Sequence, residues 1–383
     1  MPQIFHSDVI GSLLRPRYLT QARAAVESGQ LTASEFKRIE DRAVDQAIAM
    51  QEGVGLDVIT DGEFRRFSFL DQIIGELEGV TAREGAPVHF RNKENPGFDW
   101  HAPYTITGKI SQRRKLTIEE FAYSRARATK PVKITLPSPL VLYSMWSPEL
   151  STAVYKDAYE MFADAAAIVR AEAEALAALG CTYIQIDSPD YGTLVDPENR
   201  ELRENLGMPT ERTLTEGADI LNTVGDVSGV TFGLHLCKGN YLSQWIGAGG
   251  YDLTAEALFN RLTNFDVFLL EYEDERSGTF EPLAKLPDDK GVVLGLVSSK
   301  TTTLESPEEL TARVHEAARY VGLDRLGLST QCGFSSVLIG ANLTNEDVQE
   351  RKLELVAEVA HQIWLALLRA VGPELSARSL SRT

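Results

Sequence analysis

Short β-rich apolar runs alternate along this chain with longer runs whose apolar positions recur at helical spacing. The β-rich runs are Phe5–Ile10, Leu56–Thr60, Val132–Leu136, Tyr183–Asp187, Thr231–Leu236, Val267–Glu271, Val292–Val297 and Arg325–Ser329. The helical runs include Ala33–Val54, Leu150–Leu179, Glu211–Thr223, Leu253–Leu262, Pro307–Val321 and Asn345–Leu368. Helix boundaries are marked as well. Thr32-Ala-Ser-Glu35 fits a capping box, Ser306-Pro307 places proline at a first helical position, and Gly180 follows a long alanine- and leucine-rich run as a stop. Strands separated by long helices read as βαβ units around a parallel sheet. Eight such units are the count for a (β/α)8 TIM barrel, an α/β fold. An open, doubly wound sheet is the alternative, since the pattern does not show closure.

One stretch departs from the alternation. Residues 79–130 are polar and aromatic, contain Pro87, Pro96 and Pro103, and hold one strand candidate, Tyr104–Lys109. We read them as an insertion after the second strand, either a hairpin over the barrel mouth or a surface excursion. The whole chain, 1–383, is expected to be a single catalytic domain around this insertion.

Composition narrows the class. With 43% hydrophobic and 24% charged residues the chain has ordinary globular composition. Its three cysteines are odd in number and widely spaced, which argues against a disulfide framework and for a reducing, cytoplasmic setting. No signal peptide is visible in Met-Pro-Gln-Ile-Phe-His, and no apolar run reaches the ~18 residues of a membrane span. A net charge of −17 argues against nucleic acid or an anionic membrane as partner; a homo-oligomer is compatible with it.

Unusual polar residues collect where the predicted strands end, and in such a barrel the strand C-termini carry the active site. Ile10-Gly11-Ser12 ends the first, Asp61-Gly62-Glu63 the second, Ser138 the third and Asp187-Ser188-Pro189 the fourth. His235 and Cys237 end the fifth, Glu271 the sixth, Lys300 follows the seventh and Cys332 the eighth. His235 and Cys237 stand two apart on an extended segment, so they face the same side. A lone histidine or cysteine is most often packing. Cys181, His6, His89, His101, His315 and His361 are read that way. An imidazole, two thiols and a carboxylate at strand ends can instead converge on tetrahedral zinc. Glu273, at the same face parity, is the rival to Glu271 in the acidic run 271–275. With two thiolates and one carboxylate the centre carries a net charge of −1, poor for making hydroxide and well suited to holding a substrate thiol as thiolate. The implied chemistry is alkyl transfer to sulfur.

Taken in order, Ile10-Gly-Ser12, Asp61-Gly-Glu63, Gln185-Ile-Asp187-x-Pro189, His235-x-Cys237, Glu271 and Gln331-Cys332-Gly333 resemble the C-terminal catalytic barrel of the cobalamin-independent methionine synthase family over essentially the whole chain. The resemblance implies one zinc on His235, Cys237, Glu271 and Cys332. It implies that the backbone of Ile10, Gly11 and Ser12 receives the carboxylate of homocysteine, and that Glu63 and Asp187 hold its ammonium. The aromatic that stacks on the folate ring would be Tyr143 or Trp146. The donor would be a methyl folate or a methyl corrinoid, free or protein-bound. Three departures stand out. The duplicated N-terminal barrel of the full-length enzymes is absent. Asp-Ser-Pro replaces the usual Asp-Glu-Pro. Lys300 occupies the place of the family's proton-donating histidine. A related reaction, epoxide opening by coenzyme M, would need cations for a sulfonate, with Lys300, Arg65 and Arg66 as candidates.

Overall fold

The computed structural model describes residues 3–93, 96–115, 117–335, 337, 342 and 345–371. Both ends of the 1–383 chain lie outside them. The central sheet is parallel throughout. Its strands are β1 (Ser7–Asp8), β2 (Ile134–Pro137), β3 (Tyr183–Asp187), β4 (Thr231–Leu236), β5 (Val267–Glu271), β6 (Gly291–Val297) and β7 (Leu326–Thr330), in the spatial order β1-β7-β6-β5-β4-β3-β2. Strands β2, β3, β5, β6 and β7 are buried at every position, as expected of a parallel sheet covered on both faces.

The expected second strand, Leu56–Thr60, is reduced to a bridge, and it closes the ring between β1 and β2. The Asp57 N–H donates to Ser7 O (3.3 Å), the Ile59 N–H to Pro131 O (3.0 Å) and the Lys133 N–H to Ile59 O (2.9 Å). The ladder stops there because Gln51 takes the next residue's groups. Its amide receives the Thr60 N–H (3.0 Å) and donates to Thr60 O (2.8 Å). The first strand is shorter than Phe5–Ile10 for a similar reason. The Val9 N–H turns to Asp8 Oδ1 and the Ile10 N–H to Thr330 Oγ1.

Helices cover the outside. Ala33–Gly53 begins at the Thr32/Glu35 capping box, and Pro307–Ala317 at Ser306. The long helix starts at Ala158 rather than Leu150, because Asp157 caps it by accepting from the Tyr159 and Glu160 N–H groups. The expected helix 211–223 is interrupted by a π turn at Thr213–Gly217.

Segment 79–130 is built from more than the one strand expected of it. Leu77–Thr81 pairs antiparallel with Thr105–Gln112, Pro87–Phe90 pairs with Phe98–His101, and Thr117–Arg125 is helical. The second hairpin lies over the strand C-termini. Arg91 bridges Trp245 through the backbone, and its guanidinium meets Asp196 and Glu198 at 2.6 Å each. No helix among the described residues is long and apolar enough to cross a membrane.

Candidate metal centre and active-site cavity

The strand ends surround a cavity of about 380 Å³. Its floor is the thiol cluster. The Sγ atoms of Cys237 and Cys332 lie 3.4 Å apart, and a ligand nitrogen of His235 joins them so that the three donor atoms sit within 4.8 Å of one another. Two sulfurs on a tetrahedral zinc, with bonds of ~2.3 Å, would be separated by roughly 3.8 Å, close to what is seen. The His235 ring is fixed by a 3.2 Å contact of Nδ1 with Leu269 O on β5, the kind of backbone contact that leaves Nε2 for a metal. Nε2 is buried and has no hydrogen-bond partner among the described residues. The two thiols share protons unequally. The Cys237 thiol and the His235 ring pull Cys332 well below its ordinary pKa against burial, while contact with Cys332 and burial push Cys237 up.

Glu271 is not drawn into this trio. Its Oε2 accepts the Lys238 N–H (2.9 Å), and its Oε1 is held by Arg276 (2.6 Å) and Lys300 (3.1 Å). Burial opposes its charge, but Lys300 and Arg276 outweigh burial and hold the carboxyl far below the usual range. Glu273 shares both cations through its own Oε1. Lys300 lies 3.1 Å from both Glu271 and Glu273. Its ammonium is locked between two carboxylates that raise its pKa against burial, and it does not line the wall.

Ile10, Gly11, Ser12, Glu63 and Asp187 all line the cavity. Gly11 has φ +64°, and a Cβ there would stand 3.0 Å from the backbone of Gly333, so the Gly-Ser turn packs directly on the loop that carries Cys332. Glu63 also has a left-handed backbone (φ +57°), secured by its N–H donating to Asp61 Oδ1 at 2.8 Å. Its carboxylate accepts from the Ser12 and Thr135 hydroxyls and faces Arg66 at 3.6 Å. Burial disfavours its charge, but Arg66 and these hydroxyls hold its pKa down. Asp187 accepts from Gln185 Nε2 (2.7 Å), and Gln185 Oε1 in turn accepts from the buried Lys133 ammonium (2.7 Å). Burial pushes the Asp187 carboxyl up to about 6, with His235 opposing.

Of the two aromatic candidates, Tyr143 lines the cavity and carries the Arg203 guanidinium over its ring, 4.2 Å from the centroid. Trp146 is a correction: it leaves the Pro139–Met145 turn in an extended conformation and points into the core, where its indole N–H donates to Leu206 O. The sulfonate-binding alternative loses its cations. Arg65 pairs with Glu40 and Asp41, Arg66 with Glu120, and neither lines the cavity.

A profile described as "Cobalamin-independent synthase, Catalytic domain" matches residues 5–350. The chain belongs to the cobalamin-independent methionine synthase family. The Bacillus subtilis (strain 168) proteins YxjH and YxjG are each 35% identical to it, over 372 and 369 residues, with 94% of this chain and 95% of each relative covered. A 5-methyltetrahydropteroyltriglutamate–homocysteine methyltransferase of Mycolicibacterium paratuberculosis is 25% identical over 354 residues, covering 92% of this chain and 42% of that protein. Among solved structures, a Listeria monocytogenes chain described as a vitamin-B12-independent methionine synthase superposes with a TM-score of 0.70 at 29% identity, covering 95% of this chain and 99% of that one. A Shewanella B12-independent methionine synthase, at 22% identity, shares the barrel fold with a TM-score of 0.75, covering 96% and 100%. Membership makes the chain a methionine synthase-like methyltransferase on a TIM barrel.

No sequence motif marks the upper wall of the cavity. Phe67, Phe69 and Leu70, then Val88, Phe90 and Trp100 of the hairpin, and Tyr241 and Ile246 after β4 line it. None carries a motif, and only the docking of the hairpin brings them together. Asp190 is a further buried carboxyl, held beside the third and fourth strand ends. Its Oδ2 accepts from the Ser138 and Ser188 hydroxyls, while Oδ1 has no partner among the described residues. Burial pushes this carboxyl from 3.8 up to about 6, against the pull of Arg203. A folded pKa above the ordinary one means that folding disfavours the ionised form. That cost is absent below about pH 4 and grows to at most about 3 kcal/mol above about pH 6. Asp190→Asn is accordingly expected to melt higher than the parent at about pH 8 and to match it near pH 4. Thermal melts at the two pH values check this, and an unchanged difference between them would contradict it.

Proposed function

We propose that this protein is a zinc-dependent thiol methyltransferase that converts homocysteine to methionine. The observation that carries this reading is the trio His235, Cys237 and Cys332 at the cavity floor, with an unpartnered buried imidazole nitrogen and two sulfurs at nearly the spacing of a tetrahedral edge. The donor set fits zinc. Glu271 is the proposed fourth ligand, held beside the trio by Arg276 and Lys300 until a metal competes for it. Zinc bound there would supply a soft Lewis acid that keeps an incoming thiol ionised at neutral pH.

The chain's own residues orient the acceptor. Backbone donors of Ile10, Gly11 and Ser12 suit its carboxylate, and Glu63 and Asp187 suit its ammonium. Arg66 and Thr135 fix the Glu63 carboxylate, and Gln185 fixes Asp187, so both acids are preorganised. Tyr143 forms part of the wall on the methyl-donor side. Titration calorimetry in buffers of different ionisation enthalpy tests this reading. Homocysteine added to the zinc-loaded protein at neutral pH should release about one proton per site, because its thiol ionises on binding. Asp187→Asn or Glu63→Gln should weaken that binding by about tenfold or more, the scale of a lost charged hydrogen bond. Binding without proton release would contradict thiol activation.

A further inference from the structure

We infer that Lys133, buried in the barrel interior, is a positioning residue for the ammonium of the acceptor: it fixes which end of the Gln185 amide meets Asp187. The inference rests on the homocysteine reading above. It concerns a side chain that stands behind the cavity wall and does not line it.

A chain of three side chains joins the barrel interior to the cavity. Lys133 immediately precedes β2, and Gln185 and Asp187 stand two apart on β3, so the latter two point to the same side of their strand. An ammonium has three donor hydrogens and no acceptor. Lys133 uses them on Asp8 Oδ1, on Val9 O (2.7 Å) and on Gln185 Oε1 (2.7 Å). Asp8 is occupied on both oxygens as well. Its Oδ1 also takes the Val9 N–H (2.7 Å), and its Oδ2 takes the Tyr183 hydroxyl (3.1 Å). Lys133, Asp8, Tyr183 and Gln185 are all buried, so bulk water does not compete for these bonds.

The polarity of the amide follows from this arrangement. Facing a group that only donates, Gln185 must present its carbonyl oxygen. Its Nε2 is then turned to Asp187, 2.7 Å from Oδ1. Asp187 thereby receives a hydrogen bond on one oxygen. Its Oδ2 has no hydrogen-bond partner among the described residues, and Asp187 lines the cavity. That second oxygen is the one offered to an ammonium. Without the Lys133 cation the amide is free to turn over. Its carbonyl would then meet the Asp187 carboxylate, acceptor against acceptor, and the carboxylate would lose the bond that holds it in place.

A role in holding strands together accounts for less. A buried ion pair is often replaced by well-packed apolar side chains without loss of stability. An apolar pair at positions 8 and 133 could not orient an amide, and this amide is the side-chain partner of Asp187.

The test compares two thiols on the zinc-loaded full chain by titration calorimetry: homocysteine, and 4-sulfanylbutanoate, which is the same molecule without its ammonium. The parent should prefer homocysteine. Lys133→Met is expected to weaken homocysteine about tenfold, the scale of a lost charged hydrogen bond, and to leave 4-sulfanylbutanoate within about twofold. Zinc content should stay that of the parent. Because Lys133→Met strands the Asp8 carboxylate, Lys133→Met with Asp8→Asn is measured beside it. That pair removes both charges, keeps an acceptor for the Tyr183 hydroxyl, and carries the same expectation. Gln185→Leu should reproduce the loss, and Lys133→Met added to it should cost homocysteine binding nothing more. Equal weakening of both thiols would show a structural role alone and overturn the inference, as would homocysteine binding unchanged in the folded variants. A parent that binds the two thiols equally overturns it as well and leaves thiol activation standing. A parent that binds neither overturns the homocysteine reading along with it.

Discussion

Cys332→Ser is expected to lose zinc and nearly all methyl transfer while keeping its fold. A serine hydroxyl does not ionise near neutral pH, so the substitution removes one of two anionic sulfur donors and leaves Cys237 and His235 as an incomplete site. Metal affinity should fall at least about 100-fold, since even outer-shell changes cost up to that much. The rate should fall about 100- to 1,000-fold, the scale of losing one preorganised electrostatic contact at a reacting centre. The change is nearly isosteric, so secondary structure should be unaltered. Cys181 gives the control. It is buried beside Tyr183 O at 3.4 Å, away from the cavity, and Cys181→Ser should keep its zinc. Metal analysis and steady-state rates on the three serine variants check the expectation. Full zinc in both Cys237→Ser and Cys332→Ser would contradict the ligand set.

Replacing Arg66 is expected to cost stability on a comparable scale, by about 3–5 kcal/mol, because it strands buried charge. The guanidinium is almost fully buried. It donates to Glu120 Oε2 (2.8 Å) and Oε1 (3.3 Å) and to Thr135 Oγ1 (2.7 Å), and it faces Glu63 at 3.6 Å. Arg66→Met leaves two carboxylates in the interior with their main cation gone. Denaturant unfolding measures the loss. Arg66→Met combined with Glu120→Leu should recover part of it, since an apolar pair replaces a half-broken ionic one. Homocysteine binding should stay weak in the double variant, because Thr135 loses its Arg66 partner and Glu63 its fixed orientation. A single variant as stable as the parent would show that the ion pair is not what holds this corner together.

These residues also show what could be read from the sequence. Strands β3, β4 and β5 begin and end where their apolar runs do; side chains take an amide only near an end, the Phe232 N–H donating to Asp266 Oδ2 (2.8 Å) and the Glu271 N–H to the Tyr251 hydroxyl (2.9 Å). The run Leu56–Thr60 looks the same in sequence, yet the Gln51 side chain takes over the Thr60 backbone groups. Competition by a side chain nine residues away leaves no mark in a hydrophobic pattern. Likewise, Leu150 begins a helical pattern, but the Asp157 carboxylate decides the start.

In the site, the thiol trio was legible because each member ends a strand and barrel geometry does the rest. Glu271 is placed by its strand, but its carboxylate orientation depends on Arg276, in a turn that the acidic run obscured. Tyr143 and Trp146 are separated only by where a short helix stops and the chain becomes extended. The aromatic wall comes from segments far apart in the chain, so no local motif announces it.

The account depends on a metal held by sulfur, nitrogen and oxygen donors that accepts a further sulfur from the substrate. X-ray absorption at the zinc edge, on the purified chain before and after homocysteine, tests that most directly. The account predicts two sulfur scatterers at ~2.3 Å in the free protein and three after addition. A shell that keeps the same sulfur count when homocysteine is bound would contradict it.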